Sequence, residues 1–297
     1  MPAVDELRQI GMVVHPVRDV AVVLGQIQSW AAAEGVAVGQ IPTDGQSRRL
    51  AEPIQATDCD LVLALGGDGT TLIALHTGAP IDRPVMGVAC GSVGVLTSVH
   101  ADRARWALAQ VAEGRFKPEP IPALEVAWEG GHGVAINDLV VVRNGPGQVL
   151  VAVRVDGELY IRVAGDGLIL ATELGSSAYN MAAGGPILAP AVDGIAVTPL
   201  ATHGGSTPPL VAARDSRLDL EVEPGYGGVR YELDGRPADV RGHALRVARR
   251  ESYAVLVTLS DEEPRFTGLR RRGLLLDSPR VLVRDKRPGS DAEHRPV

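Results

Sequence analysis

One carboxylate, Asp68, stands among glycines in Leu61-Val-Leu-Ala-Leu-Gly-Gly-Asp-Gly-Thr70. Gly66, Gly67 and Gly69 let backbone approach a ligand with no Cβ in the way. The residues from Thr70 to Leu75 read as the start of a helix, whose free N–H groups favour an anion. A carboxylate inside such a cradle repels phosphate unless it holds a metal or takes up a proton, so the pattern points to phosphoryl transfer. The loop is neither a Walker A sequence nor a Gly-x-Gly-x-x-Gly fingerprint, both of which the chain lacks.

Three further groups of residues suit a nucleotide. Gly87, Gly91 and Gly94 make a second glycine-rich loop after the next strand, although each glycine taken singly fits a purely structural role. The stretch from Gly165 to Pro186 surrounds Tyr179 with Ser176, Ser177 and glycines. It reads either as a loop entering a helix capped by Ser176 or Ser177, or as a pocket where Tyr179 stacks on a base. Asn137-Asp138 precedes the apolar run Leu139–Val142 and by itself reads as a turn.

The elements that must position these residues change character along the chain. In the first part, Ile10–Val14, Val36 to Val38, Leu61–Leu65 and Pro84–Ala89 read as strands, with Leu61–Leu65 buried on both faces. Between them, Asp19 caps a helix carrying Val23, Ile27 and Trp30, and Asp102 caps one carrying Trp106 and Val111. Such alternation predicts βαβ units, a parallel sheet and a Rossmann-like α/β domain over residues 1–120. The prolines of Lys117-Pro-Glu-Pro-Ile-Pro122 mark the boundary. Turn pairs at Gly130-Gly131, Asp156-Gly157 and Asp234-Gly235 then predict a β-rich, sandwich-like domain over 121–276, its clearest hairpin at Val151–Val163. Residues 277–297 read as a tail, loose from about Arg280.

Composition narrows the class. With 45% hydrophobic and 22% charged residues the 297-residue chain is ordinary for a globular protein. The net charge of −7 argues against a nucleic-acid partner. Two cysteines, no signal peptide and no apolar run long enough to span a bilayer predict a soluble cytoplasmic protein with no membrane partner.

Taken in order, Gly66-Gly-Asp-Gly-Thr70, Asn137-Asp138, Gly165-Asp-Gly167, Gly175-Ser-Ser-Ala-Tyr179, Ala183-Gly-Gly-Pro186 and Leu233-Asp-Gly-Arg236 resemble the motifs of NAD kinases. The resemblance runs from about Ile10 to Leu276 and implies an α/β domain followed by a β-rich domain, in homodimers or homotetramers. It implies that Asp68 activates the 2′-hydroxyl of the adenosine ribose of NAD. Gly66, Gly67, Gly69 and Thr70 would hold the phosphates of ATP with magnesium or another divalent cation; no protein ligand to the metal is assigned. Asn137 and Asp138 would contact the adenosine of NAD, and Ser177, Ala178 and Tyr179 its adenine. Asp166 would face the nicotinamide end, which Ala201 would reach from a neighbouring subunit.

The acceptor side departs from the family pattern. Ala89 replaces an Asn, Asp138 a Glu, Ala164 an Arg, and Ala182 a Ser, while Glu173-Leu174 stands where Pro-Thr is usual. Each lost polar contact costs about 1 kcal/mol or more in binding. Two alternatives to NAD kinase therefore stay open here: a paralogue acting on another alcohol, such as a different nucleotide, a lipid or a specialised metabolite, and a non-catalytic dinucleotide-binding protein.

Overall fold

A computed structural model describes residues 7–44, 47–259 and 265–285. The first part alternates as expected: β1 (Gln9–Val14), α1 (Ala21–Glu34), β2 (Ala37–Gln40), β3 (Leu61–Gly66), α2 (Asp68–Gly78), β4 (Val85–Ala89), β5 (Val99–His100) and α3 (Ala104–Ala112). β4, β3, β1 and β2 lie side by side and parallel. Every residue of β3 is buried, because helices cover both faces of the sheet. α1 and α3 pack on one face through Val23, Ile27, Trp30 and Leu108, and α2 packs on the other through Ala74 and Leu75.

Neither expected residue stands at the N-cap, which is Val20 in α1 and Arg103 in α3, both without a side-chain cap. The Asp19 carboxylate accepts the Ala21 amide at 2.9 Å. Asp102 instead binds His100 Nδ1 at 2.9 Å, and α3 starts two residues later, after a 3-10 turn at Ala101–Arg103. A carboxylate with a nearer side-chain partner is lost to the helix end.

The strands that follow are β6 (Lys117–Trp128), β7 (Gly131–Ala135), β8 (Asp138–Arg143), β9 (Val149–Val155), β10 (Glu158–Gly165) and β11 (Gly167–Ala171). After the short α4 (Tyr179–Ala182) come β12 (Gly194–Leu200), β13 (Leu210–Ala213), β14 (Leu218–Glu223), β15 (Val229–Leu233), β16 (Arg236–Ala238) and β17 (Ala244–Thr258). Helices α5 (Arg265–Arg271) and α6 (Pro279–Asp285) complete the described chain. α6 occupies the start of the segment read as a loose tail; residues 286–297 lie outside the described residues. Both residues of the Asp156-Gly157 and Asp234-Gly235 turns have positive φ, which suits a two-residue hairpin.

β17 joins the two halves. It runs antiparallel to β6 along most of its length, to β14 near its start, and parallel to β4 at Leu256–Val85. One sheet therefore continues from β10 to β2. The second sheet, β13-β12-β11-β8-β15-β16, is antiparallel and packs on the first through Leu139, Val141, Leu168, Leu170, Val153 and Leu220. Pro118 and Pro120 sit where β6 has β17 on one side and no strand on the other among the described residues, a place that tolerates a missing N–H.

Leu63, fully buried at the centre of the parallel sheet, gives a test of this packing. Leu63→Ala is expected to lower unfolding free energy by about 2–5 kcal/mol, read from the midpoint of a urea denaturation curve.

Candidate active site

Strand β3 delivers Gly66 and Gly67 at its carboxyl end, and Asp68 is the first residue of α2. An ideal Cβ on Gly66 would lie 2.1 Å from Thr70 Oγ1, so glycine there lets Thr70 tuck its side chain against the turn, where it is buried. Thr71 returns both its amide and its hydroxyl to Gly67 O, at 3.0 and 3.2 Å.

Residues 90–98, which carry the second glycine loop, close over Asp68. Its Oδ2 accepts the Val95 amide at 3.0 Å and its Oδ1 the Leu96 amide at 2.9 Å. A Cβ on Gly94 would fall 1.9 Å from Asp68 Oδ1, so that glycine is required by the carboxylate. The Cys90 amide donates to Gly66 O at 2.7 Å and stitches the loops together. Arg272, just beyond α5, brings its guanidinium to 3.5 Å from Asp68 Oδ2. Beside this arrangement lies a cavity of about 850 Å³, lined by Gly94, Leu96, Glu173, Arg249, Arg271 and Arg272 among others.

The expected acceptor residues fall into two groups. Asn137 and Asp138 enter β8 beside the Gly175–Tyr179 loop: Thr172 Oγ1 donates to Ile136 O at 2.7 Å and accepts the Gly175 amide at 3.1 Å. A Cβ on Gly175 would collide with Asn137 O at 2.0 Å. Ser177 and Ala178 follow on this loop, and Tyr179 is 47% exposed. Asp166 and Ala201 form the other group. The Asp166 amide donates to Leu200 O at 3.0 Å, and its carboxylate takes Arg143 Nε at 2.6 Å. In the register of β8 on β11, Gly167 faces Val142 and Ala171 faces Asp138. Four residues of strand, about 13 Å, thus separate the level of Asp138 from that of Gly167 beside Asp166.

Neither serine caps a helix. Ser176 Oγ donates to Glu173 O at 2.7 Å and Ser177 Oγ to Leu174 O at 3.2 Å, while α4 opens at Tyr179 with no side-chain cap. The hydroxyls tie off a preceding 3-10 turn, Gly175–Ser177. Glu173, an acid placed where the family pattern has none, is held by Arg249 at 2.5 and 3.2 Å; Arg249 also reaches Asp193 at 3.2 Å. The acid is therefore neutralised before it meets a ligand.

Asp234 was legible in the sequence as half of a turn pair and as part of the Leu233-Asp-Gly-Arg236 motif, with no role assigned to its side chain. Its buried carboxylate accepts the amides of Ile136, Asn137 and Asp138 at 2.8, 2.6 and 3.2 Å, and lies 2.6 Å from His76 Nε2 on α2. The signal available was an Asp-Gly pair inside an ordered motif, which fixes a turn without revealing that its side chain faces inward. Asp138, also buried, is pushed up from the usual 3.8 to about 7, by burial first and then by the charges of Asp234 and Glu232. Such a group stabilises the fold below its unfolded pKa, and that contribution is lost as pH rises through about 7. Asp138→Asn is accordingly expected to remove a decline in the wild-type urea midpoint between about pH 4 and 7; equal slopes in both proteins would contradict it.

Comparison with solved structures agrees with this architecture. The chain superimposes on yeast NADH kinase complexed with NADH with a TM-score of 0.75, covering 92% of this chain and 89% of that one at 22% identity. For the NAD kinase of Archaeoglobus fulgidus in complex with ATP the TM-score is 0.72, covering 91% and 100% at 24% identity. These likenesses show the fold, and the family matches define a nucleotide-dependent phosphotransferase. Residues 12–116 match the ATP-NAD kinase N-terminal domain and residues 136–255 the ATP-NAD kinase C-terminal domain. The NAD kinase of Thermomicrobium roseum is 34% identical over 260 residues, 85% of this chain and 86% of the relative. That of Ectopseudomonas mendocina is 39% identical over 209 residues, 67% and 70% of the two chains. The chain belongs to the NAD kinase family.

Proposed function

We propose that this protein transfers the γ-phosphoryl group of ATP to the 2′-hydroxyl of the adenosine ribose of NAD, giving NADP. The observation that carries this reading is Asp68, fixed by the Val95 and Leu96 amides at the head of α2 and beside a cavity of nucleotide size. In this role Asp68 accepts a hydrogen bond from the ribose hydroxyl and takes its proton as the new P–O bond forms and the bond to ADP breaks. Gly66, Gly67, Gly69 and Thr70 cradle the phosphates, supported by the free N–H groups of the helix start. Among the described residues no group of three or more His, Cys, Asp or Glu side chains gathers to hold a metal. Magnesium in this reading arrives with the ATP, held mainly by its phosphates.

On the acceptor side, Asn137 and Asp138 take the adenosine, and Ser177, Ala178 and Tyr179 its base. Asp166 and Ala201 serve the nicotinamide end. The spacing between these groups along β8 and β11 supports the reading, since a dinucleotide is elongated. Glu173, bound to Arg249, presents no free charge that would argue for a different acceptor. We further infer an ATP-binding domain at 1–120, an acceptor domain at 121–276 and a terminal segment at 277–297, supported by the extents of the two family domains. A homodimer or homotetramer in the cytoplasm completes the proposal. No helix among the described residues is long and apolar enough to cross a membrane.

Incubation with ATP, magnesium and NAD is expected to yield NADP. Phosphate found instead on another alcohol would overturn the assigned acceptor. Asp68→Asn is expected to keep fold and nucleotide binding while losing turnover by about 100-fold or more. Near-normal turnover in that variant would sink the assignment of Asp68 as base.

A further inference from the structure

The parallel sheet reverses its direction of winding between β1 and β3: the chain leaves β1 for β2 on one flank, then returns to β3 on the other and continues to β4. Ligands of open α/β sheets bind at the carboxyl ends of the strands flanking such a reversal. One of the two loops there is the glycine loop carrying Asp68. The other, His15–Asp19, has no family motif and did not stand out in the sequence.

That loop is built to present one side chain. His15 Nδ1 accepts the amides of Val17 and Arg18 at 3.2 and 3.1 Å. This requires an unprotonated nitrogen, and burial, then the charges of Arg18 and Arg48, lowers the His15 pKa. Arg48 Nη1 donates to the carbonyls of both His15 and Arg18. The backbone of Arg18 is thus held from both sides. Its guanidinium donates no hydrogen bond to, and makes no ion pair with, the described residues.

The guanidinium bridges the two glycine loops. An ideal Cβ on Gly91 would lie 2.5 Å from Arg18 Nη1, and one on Gly67 would lie 3.9 Å from it. Gly91 is therefore a glycine that leaves room for a cation. The charge of Arg18 also offsets part of the upward push of burial on the Cys90 thiol, as its closeness to that loop requires.

We propose that Arg18 binds the phosphate chain of the donor at this reversal point. The inference rests on the reading of Gly66–Thr70 as the phosphate cradle and adds to it a residue from outside that loop. A planar guanidinium with free N–H groups suits bidentate contact with phosphate oxygens. Backbone N–H groups at the start of α2 would meet the same chain from the adjacent loop. The recognised chemistry is a linear polyphosphate, carried by ATP or free in solution.

Calorimetric titration of wild type, Arg18→Ala and Arg18→Lys with magnesium-ATP, and separately with tripolyphosphate, tests the proposal alongside KM values for ATP and NAD. Arg18→Ala is expected to weaken ATP binding roughly 10- to 100-fold, with Arg18→Lys intermediate and KM for NAD changed less than about two-fold. Parallel weakening with tripolyphosphate identifies the bare chain as the ligand, whereas weakening with ATP alone identifies the nucleotide-borne one. Unchanged affinity for both, or a loss confined to NAD, overturns the inference. Because Arg18 is exposed, unchanged far-ultraviolet dichroism and Tm are expected in both variants. A wild type that binds ATP through Arg18 yet makes no NADP would defeat the acceptor assignment and leave this inference standing.

Discussion

The buried carboxylate of Asp234 is the constraint on which the arrangement of the site depends. A charge with 2% of its side chain exposed is costly unless donors surround it. Here three consecutive backbone amides and an imidazole do so, and they come from different parts of the fold. The amides belong to the entry of β8, where Asn137 and Asp138 lie. His76 belongs to α2, the helix that Asp68 begins, and its other ring nitrogen meets the Tyr253 hydroxyl on β17 at 3.3 Å. One carboxylate thereby fixes the distance between the helix carrying the proposed base and the segment proposed to receive the acceptor. Its charge also adds to burial, the larger cause, in raising the pKa of its neighbour Asp138.

The glycines act through close approach more than through flexibility. Gly66 admits Thr70, Gly94 admits the Asp68 carboxylate, Gly91 admits Arg18 and Gly175 admits the Asn137 carbonyl. Each takes a polar group where a Cβ would otherwise stand, and at Gly94, Gly91 and Gly175 that group comes from a distant part of the chain. Two loops that read as ligand cradles are also the means by which protein groups reach one another.

Elements with strong local signals were legible in the sequence. The buried run Leu61–Leu65, the stripe of Val23, Ile27 and Trp30, and the Asp-Gly turns all formed as their periods and turn chemistry require. Asp68 stood out because a carboxylate inside a glycine loop of the kind that cradles anions is chemically odd. Failures arose where a local preference had a competitor: Asp102 found His100, and Ser176 and Ser177 found the carbonyls of Glu173 and Leu174. Asp234 was hidden because its partners lie 96 to 158 residues away in sequence. Arg18 was hidden for a different reason, since an exposed arginine after a strand carries no pattern until the winding of the sheet is known. The continuity of one sheet across both halves was equally illegible, because it rests on pairings between distant strands.

That continuity bears on how the chain is made. On its outer side β4 meets the short β5 at Val88 and Ala89 but has only Leu256 of β17 against Val85, and the first half of β6 likewise pairs with β17 alone among the described residues. Pairing at such separation carries a loop-closure penalty and is slow. The first half of the protein therefore emerges with part of its sheet edge open and completes it only once β17 has been made. During that interval the edge offers unpaired backbone to other nascent chains, so the strand that unites the finished molecule is also the source of its greatest exposure to misassembly.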